Sequence, residues 1–200
     1  MSLFQNTCKP QGLGGKFMLL SMNMGHAAMA KWGLSHIKVE PTQKVLDAGC
    51  GGGANVKNLL TMAAHVTGID YSPVSVEKSR KVNRRAISEG RCRILQANVL
   101  ELPFEEGEFD LVTAFETVYF WPEIIRSFGS VYRVLKPGGQ FLICNEADGE
   151  HEKDNKWVEK IQGMTIYNGR QLQDLLEKAG FHDVHVVKNG GDWMTVTARK

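Results

Sequence analysis

The sequence predicts an α/β fold: a doubly wound, mostly parallel sheet covered by helices. Three observations carry this expectation. From residue 44 onward, short β-rich runs alternate with stretches of helical periodicity, as in strands joined by crossover helices. The first of these runs passes directly into a glycine cluster, where open α/β sheets place ligands beyond the carboxyl ends of their strands. Past residue 180 the alternation stops. Two strand-like runs there are joined through Asn189-Gly190-Gly191-Asp192, the turn chemistry of an antiparallel hairpin.

Each element has its own signal. Lys44-Val45-Leu46-Asp47-Ala48 is the first strand, and Val56, Leu59, Leu60 and Ala63 then follow the spacing of one helical face. His65–Asp70 is the second strand, followed by a basic helix with Val76, Ser79, Val82 and Ala86 on its inner face. Residues 93–97 and 110–115 make the third and fourth strands. A helix over 124–135 should stop at Lys136-Pro137-Gly138-Gly139, because proline cannot continue it and the glycines permit a tight turn. The fifth strand covers 141–144. Asn168 with Gln171 three residues on predicts a capped helix whose Leu172, Leu175, Leu176 and Ala179 face inward, ended by Gly180. Residues 181–188 and 193–199 form the closing hairpin.

Two hundred residues suffice for one domain with a substantial core. Within residues 1–200, the expected parts are an N-terminal helical cap (1–40), a cofactor-binding core (41–146), a lid insertion (147–166), and the last helix with the closing hairpin (167–200). Hydrophobic residues at 42% and charged residues at 23% describe a soluble globular chain. A net charge of +2 supplies no whole-molecule field for nucleic acid or an anionic membrane. No apolar run reaches the roughly 18 residues of a membrane helix. Pro10, Gly12, Gly14, Gly15 and Lys16 interrupt any secretory signal. Cys8, Cys50, Cys92 and Cys144 are scattered without a C-x-x-C pair, so neither zinc nor a redox couple is expected. A cytoplasmic location follows as the expectation.

The glycine cluster reads Asp47-Ala48-Gly49-Cys50-Gly51-Gly52-Gly53-Ala54. Missing β-carbons let such a backbone turn sharply and approach a ligand closely. Gly49-x-Gly51-x-x-Ala54, with Asp70 about 20 residues later, also satisfies the dinucleotide fingerprint. Charge separates the two ligand classes. An acid two residues before the first glycine would repel a pyrophosphate. The same acid would attract the α-ammonium of S-adenosylmethionine, directly or through water, and that ligand carries no phosphate. Asp70, at the end of the second strand, can accept ribose hydroxyls in either class.

These residues and those downstream resemble the class I S-adenosylmethionine-dependent methyltransferases of the small-molecule branch, methyltransferase type 11-like. Val45 through Gly53 resembles the first family motif and Gly68-Ile69-Asp70-Tyr71-Ser72 the second. Gln96-Ala97-Asn98-Val99 through Leu102-Pro103-Phe104 resembles the third. Phe109-Asp110-Leu111-Val112 and Arg133-Val134-Leu135-Lys136-Pro137-Gly138-Gly139 complete the series, and Ala179-Gly180-Phe181 extends it. The resemblance implies a Rossmann-like, seven-stranded sheet whose last strand is antiparallel. It implies a cofactor site made of Asp47, Gly49, Cys50, Gly51, Gly53, Asp70, Tyr71, Ser72, Asn98, Val99 and Phe115. Asn98 would meet the adenine amino group and the Val99 amide a ring nitrogen. The family more often has aspartate at position 98, and an amide oxygen can still accept that bond.

The acceptor is less legible. Phe115-Glu116-Thr117-Val118-Tyr119-Phe120-Trp121-Pro122 lacks the Asn/Asp-Pro-Pro-Tyr motif of enzymes that methylate bases or protein amides. The basic run Lys78, Arg80, Lys81, Arg84, Arg85, Arg91 and Arg93 reads as a solvated outer face without interleaved aromatics, so nucleic acid is not the expected partner. A small-molecule acceptor is expected, methylated in line without metal, with His26, Glu116 and Tyr119 as candidates to receive a proton. Residues 14–36 are expected to fold over the cofactor. Two other readings stay open: a cofactor-binding regulatory or partner subunit without catalysis, and a nicotinamide-dependent oxidoreductase. Oligomeric state is not legible.

Overall fold

The computed structural model describes residues 27–200. In chain order the elements are α1 (Ala27–Leu34), β1 (Lys44–Ala48), α2 (Ala54–Leu59), β2 (His65–Asp70), α3 (Pro73–Val82), α4 (Arg84–Ser88) and β3 (Cys92–Gln96). After them come β4 (Phe109–Phe115), α5 (Ile124–Val134), β5 (Leu135–Asn145), α6 (Glu152–Lys160), α7 (Gly169–Lys178), β6 (His182–Lys188) and β7 (Met194–Arg199). The seven strands form one sheet in the order β3-β2-β1-β4-β5-β7-β6. The neighbours from β3 to β5 pair in parallel, whereas β7 runs antiparallel to both β5 and β6. Strand order reverses between β1 and β4, and a crevice opens there at their carboxyl ends.

Alternation along the strands builds two cores. In β1, Leu46 joins one apolar cluster and Val45 the other, and in β4 Val112 and Leu111 divide the same way. The first cluster holds Phe109, Phe128, Phe141, Leu172, Leu176 and Phe181, covered by α5 and α7. The second holds Val56, Leu59, Val76 and Ala86 from α2 to α4, with Met29, Ala30 and Leu34 from α1. Because both faces are covered, the central strands are almost continuously apolar. The predicted cap of α7 is present as a full capping box: the Gln171 amide donates to Asn168 Oδ1 at 2.9 Å, and the Asn168 amide donates to Gln171 Oε1 at 2.9 Å.

Three local expectations are corrected. The Lys136-Pro137-Gly138-Gly139 segment is not a turn separating helix from strand. Helix α5 ends at Val134, Leu135 already pairs with Phe109, and a register shift between Phe109 and Leu111 absorbs the extra residues. Gly138 adopts φ +76°, and the segment is tied to the chain's end by Gly138 N–H to Lys200 O (2.9 Å) and Lys200 N–H to Gly139 O (3.0 Å). The basic helix is also two helices. Asn83 breaks it, its side-chain amide donating to Gly53 O and to Ser79 O, both at 3.0 Å. Val82 is consequently exposed, not an inner-face residue. The helix after the glycine cluster ends at Leu59, so Leu60 and Ala63 follow it in a turn.

Helix α1 lies against β5 at a glycine. A β-carbon on Gly33 would fall 2.5 Å from Cys144 Sγ and 3.1 Å from Cys144 Cβ. We therefore expect Gly33→Val to destabilise the protein by about 1–3 kcal/mol through overpacking. In a thermal melt that is a loss of roughly 2–4 °C per kcal/mol for a chain of this size. An unchanged melt would show that α1 does not sit on β5.

Candidate functional site

Beyond Ala48 the chain folds back on the sheet. The amides of Gly49 and Cys50 both donate to Ile69 O, at 2.9 and 2.8 Å. The Gly51 amide donates to Asp70 Oδ2 at 2.9 Å, and the Ser72 amide donates to Asp70 Oδ1 at 2.9 Å. One carboxylate thus straps the β1 loop to the turn after β2. Gly49 has φ +84°, and a β-carbon there would fall 2.1 Å from Thr117 Oγ1, so only glycine fits between the loops after β1 and β4.

The loops enclose a cavity of about 510 Å³. From the expected cofactor set, Gly49, Cys50, Gly51, Asp70, Tyr71, Asn98, Val99 and Phe115 form part of its wall. Three expected residues stand behind the wall. Asp47 is buried, with Oδ1 accepting from the Thr113 hydroxyl at 2.8 Å. Gly53 is a packing position: at φ +83°, a β-carbon would fall 2.4 Å from Ser79 Oγ and 2.8 Å from Ser79 Cα. Ser72 is the cap of α3, its hydroxyl accepting from the Ser75 amide at 3.4 Å. Asn98 combines a wall position with a turn role, since its Oδ1 accepts from the Leu100 amide at 3.0 Å.

On the other side, Glu116 joins the wall and Tyr119 does not. The Tyr119 ring is buried, with its hydroxyl 3.1 Å from Glu116 Oε1. His26 lies outside the described residues. Of the expected cap, Ala27 reaches the cavity. Among the described residues, none of 147–166 lines it. That segment is held elsewhere, by the Thr165 amide on Tyr119 O (2.9 Å) and the Lys188–Asp148 ion pair (3.0 Å). Wall residues not singled out from the sequence are Asn55, Lys57 and Asn58 of α2, and Thr117, Phe120 and Trp121 after β4. The asparagines had a readable signal: they are polar and lie off the Val56/Leu59 face.

The electrostatics are those of buried acids. Burial, opposed by the Thr113 hydrogen bond and reinforced by the nearby Asp70 charge, pushes the Asp47 carboxyl up to about 7. Its Oδ2 is buried with no hydrogen-bond partner among the described residues. Burial also raises Asp70, against the amides of Ser72 and Gly51. Glu116 is pushed up to about 8, chiefly by burial and against the Glu146 amide that bonds it. Burial and the two aspartates hold the Cys50 thiol well above its ordinary range, so Cys50 is no nucleophile. Lys57 is the one lysine or arginine on the wall among the described residues. Buried acids of raised proton affinity, with a single lysine on the described wall, favour a cation and disfavour a phosphate.

A sequence profile of the methyltransferase domain matches residues 46–143. A 24-methylenesterol C-methyltransferase 2 of Arabidopsis thaliana is 33% identical over 131 residues, which cover 64% of this chain and 36% of that protein. The chain therefore spans little more than a third of that curated relative's length. A SAM dependent methyltransferase from Aquifex aeolicus shares the fold at a TM-score of 0.74 with 19% identity, covering 90% of this chain and 96% of that one. A geranyl diphosphate C-methyltransferase from Streptomyces coelicolor, solved with S-adenosyl-L-homocysteine, has a TM-score of 0.72 and 16% identity, covering 86% of this chain and 75% of that one.

Glu116 gives a pH-dependent prediction. Its folded pKa lies above its ordinary value of 4.5, so the folded protein retains a proton that the unfolded chain has lost. Stability therefore falls as pH rises from about 4.5 to about 8, and the penalty is complete above that range. Glu116→Gln removes the penalty. Its melting temperature should match the parent's near pH 4 and exceed it by several degrees near pH 8. A constant offset at all pH values would contradict the buried-acid account.

Proposed function

We propose, from the methyltransferase-domain match over residues 46–143 and the shared fold, that this chain is a class I S-adenosylmethionine-dependent methyltransferase that methylates a small-molecule acceptor. The observation that carries the proposal is a glycine loop strapped by one acid and backed by another, in a cavity with little positive charge. The fit to the cofactor rests on the same residues. The unpartnered Oδ2 of Asp47 and the raised carboxyls of Asp47, Asp70 and Glu116 suit a ligand bearing a sulfonium and an ammonium.

In this reading the bare backbone at Gly49 and Gly51 admits the ligand's amino-acid portion, with Asp47 acting from behind through the loop. Asp70 keeps lone pairs for ribose hydroxyls beside the two amides it already holds. Asn98 and the Val99 amide take the adenine, and Phe115 supplies a further part of the wall. When bound, S-adenosylmethionine supplies a methyl group already activated for transfer. The protein's task is then alignment and exclusion of water, effects able to contribute on the order of 7–11 kcal/mol to barrier lowering. Glu116, half-buried on the wall near Phe120 and Trp121, is the group placed to receive a proton from the acceptor once the bound cation has ionised it.

A small-molecule acceptor agrees with the position of the basic run. None of Lys78, Arg80, Lys81, Arg84, Arg85, Arg91 and Arg93 lines the cavity, and several are engaged locally, as in the Arg85–Glu89 and Arg91–Glu89 pairs. Among the described residues no helix is long and apolar enough to cross a membrane. We place the activity in the cytoplasm and in one domain, with 41–146 forming the cofactor core.

Calorimetry and a methyl-transfer assay test this. S-adenosylhomocysteine should bind one per chain and NAD should not bind. Asp70→Ala should weaken S-adenosylhomocysteine by at least about tenfold, because it removes a hydrogen-bonded charge and frees the loop. Labelled methyl should pass from S-adenosylmethionine to members of a metabolite panel carrying amine, hydroxyl or alkene acceptors. Binding of NAD alone would overturn the proposal. S-adenosylhomocysteine binding without transfer to any panel member would favour a non-catalytic subunit.

A further inference from the structure

We infer that Tyr119 is a positioning residue: from behind the cavity wall its hydroxyl fixes the Glu116 carboxylate and clamps it to the segment following β5. The functional weight of this inference rests on the methyltransferase reading above, in which Glu116 faces the acceptor.

Glu116 occupies an unusual backbone position. Its φ of +56° is left-handed, a conformation that a glutamate adopts only when its surroundings hold it. The surroundings are explicit. The Glu116 amide donates to Cys144 O at 3.0 Å. On the side chain, Oε1 accepts a short hydrogen bond from the Glu146 amide and another from Tyr119 Oη at 3.1 Å. Neither Glu146 nor Tyr119 lines the cavity, so both bonds hold the carboxylate from behind.

The Tyr119 hydroxyl is a junction. It accepts from the Ala147 amide at 2.9 Å and lies 3.2 Å from Ala147 O, as well as 3.1 Å from Glu116 Oε1. A phenol has one proton to donate and faces two acceptors. An ionised Glu116 takes that proton as a charge-assisted bond, which is stronger than a bond to a neutral carbonyl. A protonated Glu116 releases it to Ala147 O. The main-chain carbonyl of Tyr119 meanwhile accepts from the Thr165 amide at 2.9 Å. The turn carrying Glu116 is therefore clasped at both ends of the segment between residues 146 and 165.

The titratable groups bearing on Glu116 are Tyr119 on its own turn, Cys144 near the end of β5 and Glu146 just after it. Burial and, to a lesser degree, the Glu146 charge raise its proton affinity, and the hydrogen bonds from the Glu146 amide and from Tyr119 lower it. Removing the hydroxyl must then raise it further. A purely structural tyrosine would change stability alone and leave this proton affinity unmoved.

The test needs no acceptor. Protein labelled with carbon-13 at the glutamate carboxyls is titrated by NMR, and the Glu116 resonance is assigned by its loss in Glu116→Gln. Tyr119→Phe should move the Glu116 midpoint upward by about one pH unit. Should Tyr119→Phe fail to fold, 3-fluorotyrosine incorporation keeps the shape, strengthens the donor and should move the midpoint downward. A midpoint unmoved in the folded variant, or moved in the opposite direction, overturns the inference. Calorimetry with S-adenosylhomocysteine on the same samples separates the two claims. Lost binding in the parent protein strikes the cofactor reading and leaves the midpoint result standing. Intact binding with an unmoved midpoint strikes Tyr119 alone.

Discussion

The Asp70 carboxylate, shared between the amides of Gly51 and Ser72, is the contact on which the rest of the site depends. Through it the loop leaving β1 and the turn leaving β2 become one unit, reinforced by the Gly49 and Cys50 amides on Ile69 O. The same turn starts α3, because Ser72 both donates to Asp70 and caps the helix. Helix α3 in turn presses Ser79 against Gly53, and Asn83 reaches back to Gly53 O. A hydrogen-bonded acid at the carboxyl end of β2 thus fixes three connections at once.

That arrangement is electrostatically expensive. Burial raises the carboxyl of Asp47 and the thiol of Cys50, and the Asp70 charge adds to both. Across the cavity Glu116 is raised as well. Three acids with raised proton affinity at one cavity are poorly solvated as anions, and a bound cation would offset that cost. The geometry of the cavity and its charge therefore favour the same class of ligand, although they arise from different parts of the chain.

Much of this was legible in the sequence. The strand and helix alternation, the closing hairpin and the Asn168/Gln171 cap follow from periodicity and short-range hydrogen bonding, which a linear sequence carries. What was not legible depends on direction or distant partners. The spacing of Asp47 places it at a strand end, yet its partner Thr113 sits 66 residues away and draws it behind the wall. Tyr119 and Phe120 are adjacent aromatics, and only the short helical turn Val118–Phe120 decides that Phe120 lines the cavity while Tyr119 does not. The break at Asn83 was hidden for a related reason: its cause is the carbonyl of Gly53, 30 residues earlier.

The central claim is that buried, proton-retaining acids receive a cationic ligand. Titration calorimetry of S-adenosylmethionine in buffers of different ionisation enthalpy measures it, because the slope of apparent enthalpy against buffer enthalpy counts protons exchanged on binding. Near pH 7 the account predicts net proton release, reduced in Asp47→Asn and in Glu116→Gln. Binding without proton exchange, or with proton uptake, would contradict it.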